Sequence, residues 1–328
     1  MNVPGAGTIF FPLDAAWKLD EGRYSGALKQ NMVWLCGLLP YEQAAQVMVR
    51  IGKQTVSDSS LWRMAQHTDQ WLDQTAEGDA REEAPVTDRA SVVPSTKLLS
   101  MDGGMVNIFG EGWKELKVAL VGTVVIGKPD PSTGRPTVHT QPLRYGAVLG
   151  DIATFTPVLL SLADDAGFGE ATRACIAADG APWIWNLADS HFPDSVQILD
   201  WYHARQHLSS AAQALFPDHP SAATAWFQTH SDNLFEGQLT PIVVELERAG
   251  LAEAAAYFAT HSARMHYADF QEAGYPIGSG SVESEVKQFK HRLDGPGMSW
   301  SRPGIHHIIQ IRAAVLDGSF DSRWSQVA

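Results

Sequence analysis

Three carboxylates stand where the chain is set to bend sharply. They are Asp102 in Leu98-Leu99-Ser100-Met101-Asp102-Gly103-Gly104, Asp179 in Ala177-Ala178-Asp179-Gly180-Ala181, and Glu283 in Ile277-Gly278-Ser279-Gly280-Ser281-Val282-Glu283-Ser284-Glu285. The two aspartates close apolar runs of strand character. An ionised carboxylate is not stable inside a sheet without partners, so each belongs at a strand end, where it can meet a cation. Glu283 follows a glycine-serine turn whose serines can cap a helix and whose glycines allow close backbone approach. A helix N-terminus is electropositive, which suits both a carboxylate and a nearby phosphate. Lys287 and Lys290 follow at i+4 and i+7 on the same helical face, with His291 and Arg292 just beyond. Three carboxylates gathered from distant segments can hold two divalent metal ions, and two metals beside a basic face can cut or join a phosphodiester backbone.

Each piece also has a plainer structural reading. Asp-Gly pairs initiate turns, and a glutamate followed by lysines describes any salt-bridged surface helix. Asp200 in Asp200-Trp201-Tyr202-His203 competes with Asp179 as the second carboxylate. With His203 it could bind metal, or it could lock a strand-to-helix turn by hydrogen bonding. Asp189 and His191 are explained more simply by a surface helix end. Gly297-Met298-Ser299-Trp300-Ser301-Arg302, with His306, His307 and Arg312, is an aromatic-basic segment. There Trp300 could stack on an unpaired base and Arg302 could contact phosphate, although a core tryptophan beside a surface arginine reads equally well.

The elements that must position these groups follow from periodicity. Residues 1 to about 25 read as irregular. From Ser25 to about Trp71 the pattern is helical, broken at Gly52, with Ser57 and Asp58 as N-caps for the helix beyond it. That outline is a helix-turn-helix, whose second helix would present Ser59, Ser60, Arg63, Gln66 and His67 to a major groove. Residues 76–96, rich in acid and proline, read as a linker. Strands follow at 97–101, 115–125 and 144–149, then a helix around 168–175, a short strand into Asp179, a helix at 183–192 and a buried strand at 195–200. From Tyr202 to about Phe270 the chain is helical and alanine-rich, which accounts for the 104 positions separating Asp179 from Glu283.

The 328 residues carry a net charge of −13, which argues against a wholly basic nucleic-acid coat while allowing a local basic groove. Cys36 and Cys175 form no motif, so neither a disulfide framework nor a cysteine-rich zinc site is indicated. No secretory signal is evident and no apolar run approaches the roughly 20 residues that span a bilayer. The expectation is a cytoplasmic, nucleoid-associated protein with no membrane partner.

Ser-Met-Asp-Gly at 100–103, Asp-Gly-Ala at 179–181, Leu-Asp-Trp-Tyr-His at 199–203, Gly-Ser-Gly-Ser-Val-Glu-Ser at 278–284 and Gly-Met-Ser-Trp-Ser at 297–301 occur in one order. Together they resemble an insertion-sequence DDE transposase of the Kra-type group within the Mutator-like superfamily. The resemblance implies an α/β, ribonuclease H-like catalytic domain with an all-helical insertion, preceded by a small helix-turn-helix-like domain. The segments would be 1–75 (helical, DNA-binding), 76–96 (linker), 97–203 (first part of the core), 204–274 (helical insertion) and 275–328 (C-terminal helices with the third carboxylate). It implies two Mg²⁺ or Mn²⁺ ions held by Asp102, Asp179 and Glu283, and places Asp200 and His203 in a supporting Asp-x-x-His element. Lys287, Lys290, Arg292, Trp300, Arg302 and Arg63 would contact DNA. The implied partners are double-stranded element ends and target DNA, with a homo-oligomer holding the ends together. Strand cleavage and strand transfer would proceed without a covalent protein–DNA intermediate.

One departure is that relatives of this kind often carry a cysteine-rich zinc module before a Pro-Leu-Asp segment, whereas eleven residues precede Pro12 here. The alternatives are a ribonuclease H-like nuclease without strand transfer and an inactive or domesticated DNA-binding relic. A DNA-binding regulator would need neither Asp102 nor Glu283. A glycosidase, suggested by the 11 tryptophans, would use two carboxylates and no metal.

Overall fold

The computed structural model describes residues 24–67, 95–278 and 287–325, apart from four turn residues between 130 and 135. The chain divides into two compact units, Met1–Ala84 with Ser301–Ala328, and Pro85–Trp300. The stretch 275–328, expected as one C-terminal block, therefore divides after Trp300.

In the helical unit α1 (Gly26–Leu38), α2 (Tyr41–Arg50) and α3 (Asp58–Gln66) come from the N-terminal segment, and α11 (Arg302–Leu316) and α12 (Phe320–Ser325) from the C-terminal one. Ser57 caps α3, as the sequence suggests, accepting from the Ser60 amide, with Asp58 the first helical residue; Ser25 caps α1, accepting from the Leu28 amide. Each satisfies a donor that the first helical turn would otherwise leave unpaired. Met32, Val33 and Cys36 of α1, Leu61 and Ala65 of α3, and Ile305, Ile308 and Ile311 of α11 form the core. Gly37 lets α1 and α11 approach closely, since a Cβ there would lie 2.9 Å from Ile311 Cγ2 and 3.0 Å from Val315 Cγ2. The Arg312 guanidinium crosses the same contact and donates to the Gly37 carbonyl at 2.8 Å.

The second unit is mixed α/β around one five-stranded sheet. Its strands are β1 (Thr96–Ile108), β2 (Gly112–Pro129), β3 (Pro136–Leu149), β4 (Arg173–Ala178) and β5 (Val196–Leu199), in the order β3-β2-β1-β4-β5. β1, β2 and β3 form an antiparallel meander, while β4 and β5 join β1 in parallel. The β2 run Val118-Ala119-Leu120-Val121 is buried on both faces, as a central strand must be. On one face α4 (Ile152–Asp165) packs against Gly146, where a Cβ would meet Val158 and Leu162 at 3.2 and 3.3 Å. α5 (Pro182–His191) joins it there, Trp183 meeting Phe155 edge-on. Lys117, only 2% exposed, lies under the Trp183 ring with Nζ at 4.2 Å from its centroid and pairs with Glu115, so its buried charge is compensated. On the opposite face the segment 287–300 is fastened to β1 and stacks Phe289 on Tyr145.

The helix order matches the sequence reading except at one place. The helix expected around 168–175 is instead α4 at 152–165, and residues 173–178 are already β4. All three meander strands are also longer than their apolar runs, because backbone pairing carries β1 through Gly103, Gly104 and Asn107, where no side-chain alternation marks it. No helix among the described residues is long and apolar enough to cross a membrane.

Gly37→Val should lower stability by about 1–3 kcal/mol, as overpacking of a close helix contact does, and shift the urea midpoint accordingly. Gly26→Ala, where nothing lies within 4 Å of the new methyl, should leave it unchanged or raise it slightly.

Candidate functional site

The site is built by strand register. β1 and β4 pair in parallel up to Ser100↔Ala177, and β4 and β5 up to Ala178↔Leu199. Continued in register, Asp102 on β1 aligns with Asp179 two positions past the last β1–β4 pair, and Asp179 with Asp200 one position past the last β4–β5 pair. Neighbouring strands lie about 4.8 Å apart, so three aspartates fall in one row across the C-terminal ends of the parallel strands. Asp102 does not end its strand, as its Asp-Gly-Gly context suggests. β1 continues to Ile108, paired along its length with β2; β4 has stopped by then, and Trp300 bridges β1 at its far end.

The three carboxylates meet different fates. Asp200 is buried and caps α6 (Trp201–Leu215), its Oδ1 accepting from the His203 amide at 2.7 Å. Of the two roles open to the Asp-x-x-His element, this is the turn lock. Asp179 is half-buried and its Oδ1 accepts from the Ala181 amide at 3.0 Å. Gly180 beyond it has φ +101°, and a Cβ there would lie 2.9 Å from Leu199 Cδ1, so the sharp exit from β4 requires glycine. Asp102 takes the Lys290 ammonium, with Nζ at 2.7 Å from Oδ2 and 3.0 Å from the Gly103 carbonyl.

The helices α6, α7 (Pro220–Phe235), α8 (Leu239–Arg248), α9 (Ala252–Thr260) and α10 (Tyr267–Glu272) leave the sheet at Asp200 and return to it. The Trp201 amide donates to the Ile277 carbonyl at 3.0 Å, which ties the exit to the entry. Gly278 packs against the Tyr202 ring, where a Cβ would lie only 2.7 Å from Cε2. Glu283 lies outside the described residues, in sequence between Ile277 beside Asp200 and Lys290 on Asp102.

Beside Asp179 and Asp200 sits a group of which the sequence reading named only His203. His203 and His207 bring their Nε2 atoms to 3.3 Å, and the His207 ring stacks on Tyr257 at 3.8 Å between centroids. His261 lies beside Tyr257, ring centroids 5.0 Å apart. Burial, then the charges of Asp179 and Asp200, pushes the Tyr257 hydroxyl well above the usual phenol range. Burial likewise lowers His207, with His203 adding to it, and lowers His261, with Arg264, His207 and His203 adding. His207 is legible as His203 plus one helical turn. Tyr257 and His261 carry no local signal, since only the return of α9 to the sheet places them here.

The residues expected to face DNA divide. Trp300 is 7% exposed: its indole donates to the Leu293 carbonyl at 2.8 Å and its backbone bridges Asn107 and Phe109 of the β1–β2 hairpin. It has no face left for a base. Arg292 is buried at 2% exposure, its guanidinium 5.0 Å from the Trp300 ring centroid. Both are core residues, which corrects their assignment as DNA contacts. Lys287 is exposed, and Lys290 is engaged with Asp102. Arg63 on α3 and Arg302 at the start of α11 are exposed in the helical unit. The beyond-row part of the β1–β2 hairpin shows Met105, Phe109 and Trp113, of which Phe109 is 82% exposed. Cys175 is buried and its thiol is pushed up to about 12, so it offers no thiolate.

Among the described residues no three His, Cys, Asp or Glu side chains converge to hold a metal. What they offer is the Asp102–Asp179 edge, with hard oxygen donors of the type Mg²⁺ and Mn²⁺ prefer. Residues 168–327, just under half of the chain, match the family model described as Uncharacterised protein family (UPF0236). That stretch includes Asp179, Asp200 and Glu283 and leaves out Asp102. No curated protein matches the chain.

Because the folded pKa of His207 and His261 lies below the ordinary 6.5, the unfolded chain binds more protons as the pH falls. The stability these neutral imidazoles contribute is complete above pH about 6.5 and declines below it. Thermal melts in chelator from pH about 8 to about 5 should show this fall, and His261→Gln should reduce its slope.

Proposed function

We propose that the α/β unit is a ribonuclease H-like catalytic domain of the DDE transposase kind, cutting DNA strands and joining the freed 3′ ends to target DNA with two Mg²⁺ or Mn²⁺ ions. The observation that carries this reading is the row at the sheet edge. In a sheet of order β3-β2-β1-β4-β5, Asp102 and Asp179 occupy the same register level of adjacent parallel strands, two positions beyond the last pair Ser100↔Ala177. Adjacent strands lie about 4.8 Å apart, a backbone separation that suits carboxylates sharing metals about 3.5–4 Å apart. A helical body rooted at Asp200, and a return of the chain at Ile277 toward Glu283, agree with it.

On this reading Asp102, Asp179 and Glu283 hold the ions. Such ions would activate a water, and then the 3′-OH of the freed strand, as nucleophile and would stabilise the leaving oxygen in an in-line displacement. Asp102 and Asp179 fix the position of the scissile phosphate along the strand ends. Asp200, with an oxygen committed to the His203 amide, holds the start of α6 and serves as a positioning residue. His203, His207 and Tyr257 form an ordered wall beside Asp179 and Asp200, and Lys287 is exposed toward solvent on the segment that carries Lys290. Arg63 and Arg302 of the helical unit are the cations proposed for end recognition, and a homo-oligomer on DNA is the assembly that would cut two ends together.

Purified protein with Mn²⁺ should nick supercoiled plasmid, and Asp102→Asn, Asp179→Asn and Glu283→Gln should each reduce nicking at least about 100-fold, in keeping with the loss of a charge acting only in the transition state. Asp200→Asn should instead lower thermal stability more than it lowers nicking per folded molecule. Full activity in Asp102→Asn would sink the reading. Nicking without joining of a 3′-OH end would reduce it to a nuclease.

A further inference from the structure

The Lys290 ammonium rests on two oxygens, the Asp102 carboxylate at 2.7 Å and the Gly103 carbonyl at 3.0 Å. A carboxylate and a main-chain carbonyl are hard donors of the kind that hold Mg²⁺, Mn²⁺ or Ca²⁺. The path of the lysine is also prepared. Its stem crosses Gly104, where a Cβ would lie 2.7 Å from Cδ and 3.5 Å from Nζ, so any larger residue at 104 would push the side chain aside. Phe289 stacks on Tyr145, and the Trp300 backbone is bonded to Asn107 and Phe109 at the end of β1, which fixes the segment bearing Lys290 on both sides. The pair is only partly solvated, with side-chain exposures of 19% for Lys290 and 31% for Asp102.

Resting on the reading of Asp102 as a cation ligand, we propose that Lys290 is the intrinsic counter-ion of the site. In the metal-free protein its ammonium holds the cation position at Asp102, and it must withdraw when a divalent ion binds there. Aspartates at one register level of neighbouring strands favour such a counter-ion, because like charges near one another repel even at an effective dielectric near 20. Withdrawal requires another anion for the ammonium, and a DNA phosphate supplies one. Metal and DNA therefore bind with positive coupling through Lys290: each is held more tightly when the other is present. The site stays weakly charged with metal until a phosphodiester is at hand.

The test is Mn²⁺ titration by calorimetry of the full chain, in four forms. Lys290→Met removes the ammonium and keeps the stem. Gly104→Ala keeps the ammonium and displaces it. Both should bind Mn²⁺ about three- to tenfold more tightly than the wild type, the range expected for removing a half-exposed ion-pair competitor. Lys290→Arg, which keeps a cation, should stay close to the wild type. A short DNA duplex should tighten Mn²⁺ binding in the wild type and have little effect in Lys290→Met. Equal or weaker binding in Lys290→Met, with normal wild-type binding that Asp102→Asn abolishes, would overturn the counter-ion role and leave the metal reading intact. No Mn²⁺ bound by any form would overturn both. Tighter binding in the two variants, with no DNA cleavage by any form, would uphold the counter-ion and sink the proposed chemistry.

Discussion

Like charge in a confined row is the constraint from which the rest of the α/β unit can be understood. Parallel pairing of β1, β4 and β5 brings Asp102, Asp179 and Asp200 to one level. Carboxylates on neighbouring strands at one register level favour compensation of their charge. Each is relieved differently. Asp200 is buried and spends an oxygen on the first turn of α6, where the positive end of the helix also favours it. Asp179 takes a backbone amide across the Gly180 turn. Asp102 takes a whole cation, Lys290, delivered from 188 residues downstream. The residue with the most mobile compensation is therefore Asp102, and the one with the most fixed is Asp200.

The helical body follows from the same edge. α6 starts at the Asp200 cap, and α9 comes back so that Tyr257 and His261 cover the turn at Gly180, within 3.7 and 3.6 Å of the position a Cβ would occupy. The exit strand is bonded to the entry at Trp201 and Ile277. Trp201 then packs edge-on to Tyr267 and Phe235, so the first residue of the excursion contacts aromatic residues from two later helices. An insertion tied in this way can be long without disturbing the sheet, since its closure is local and its cost grows only slowly with length.

The parts of this arrangement that sequence made legible are those with local chemistry. Asp102 and Asp179 each follow apolar runs and precede glycine, and the helix caps at Ser25 and Ser57 have the residue types caps require. The order of strands and helices was readable from the change of period, except where Phe168 to Cys175 imitates a helix and α4, with a proline inside it, does not advertise one. The hidden features are non-local. The extension of β1 through two glycines is imposed by β2. The burial of Trp300 and Arg292 is imposed by the hairpin turn they pack on, and no period in Gly-Met-Ser-Trp-Ser reveals it. Tyr257 reaches the site through a helix that sequence reads as one alanine-rich stretch among several. Asp200 and Asp179 look alike as strand-end carboxylates, and both accept a backbone amide; what separates them is that Asp200 is buried and caps a full helix, which no local signal reveals.

That separation bears on which aspartate can serve a metal. A ligand must be able to give both its charge and a lone pair to the ion. Withdrawing Asp200 from its cap would leave the His203 amide unpaired at a buried helix start, a cost of about 1–3 kcal/mol before any binding began. Asp179 is more exposed, its amide partner lies in a turn, and it stands directly beside Asp102 in register, whereas Asp200 is one strand further away. Asp102 needs only a movement of the lysine side chain over Gly104 to become available. On the proposed reading, the adjacent pair Asp102 and Asp179 is therefore the part of the row whose use as ligands asks the least rearrangement of the fold. Asp200, whose Oδ1 caps α6, holds the start of the helical body in place.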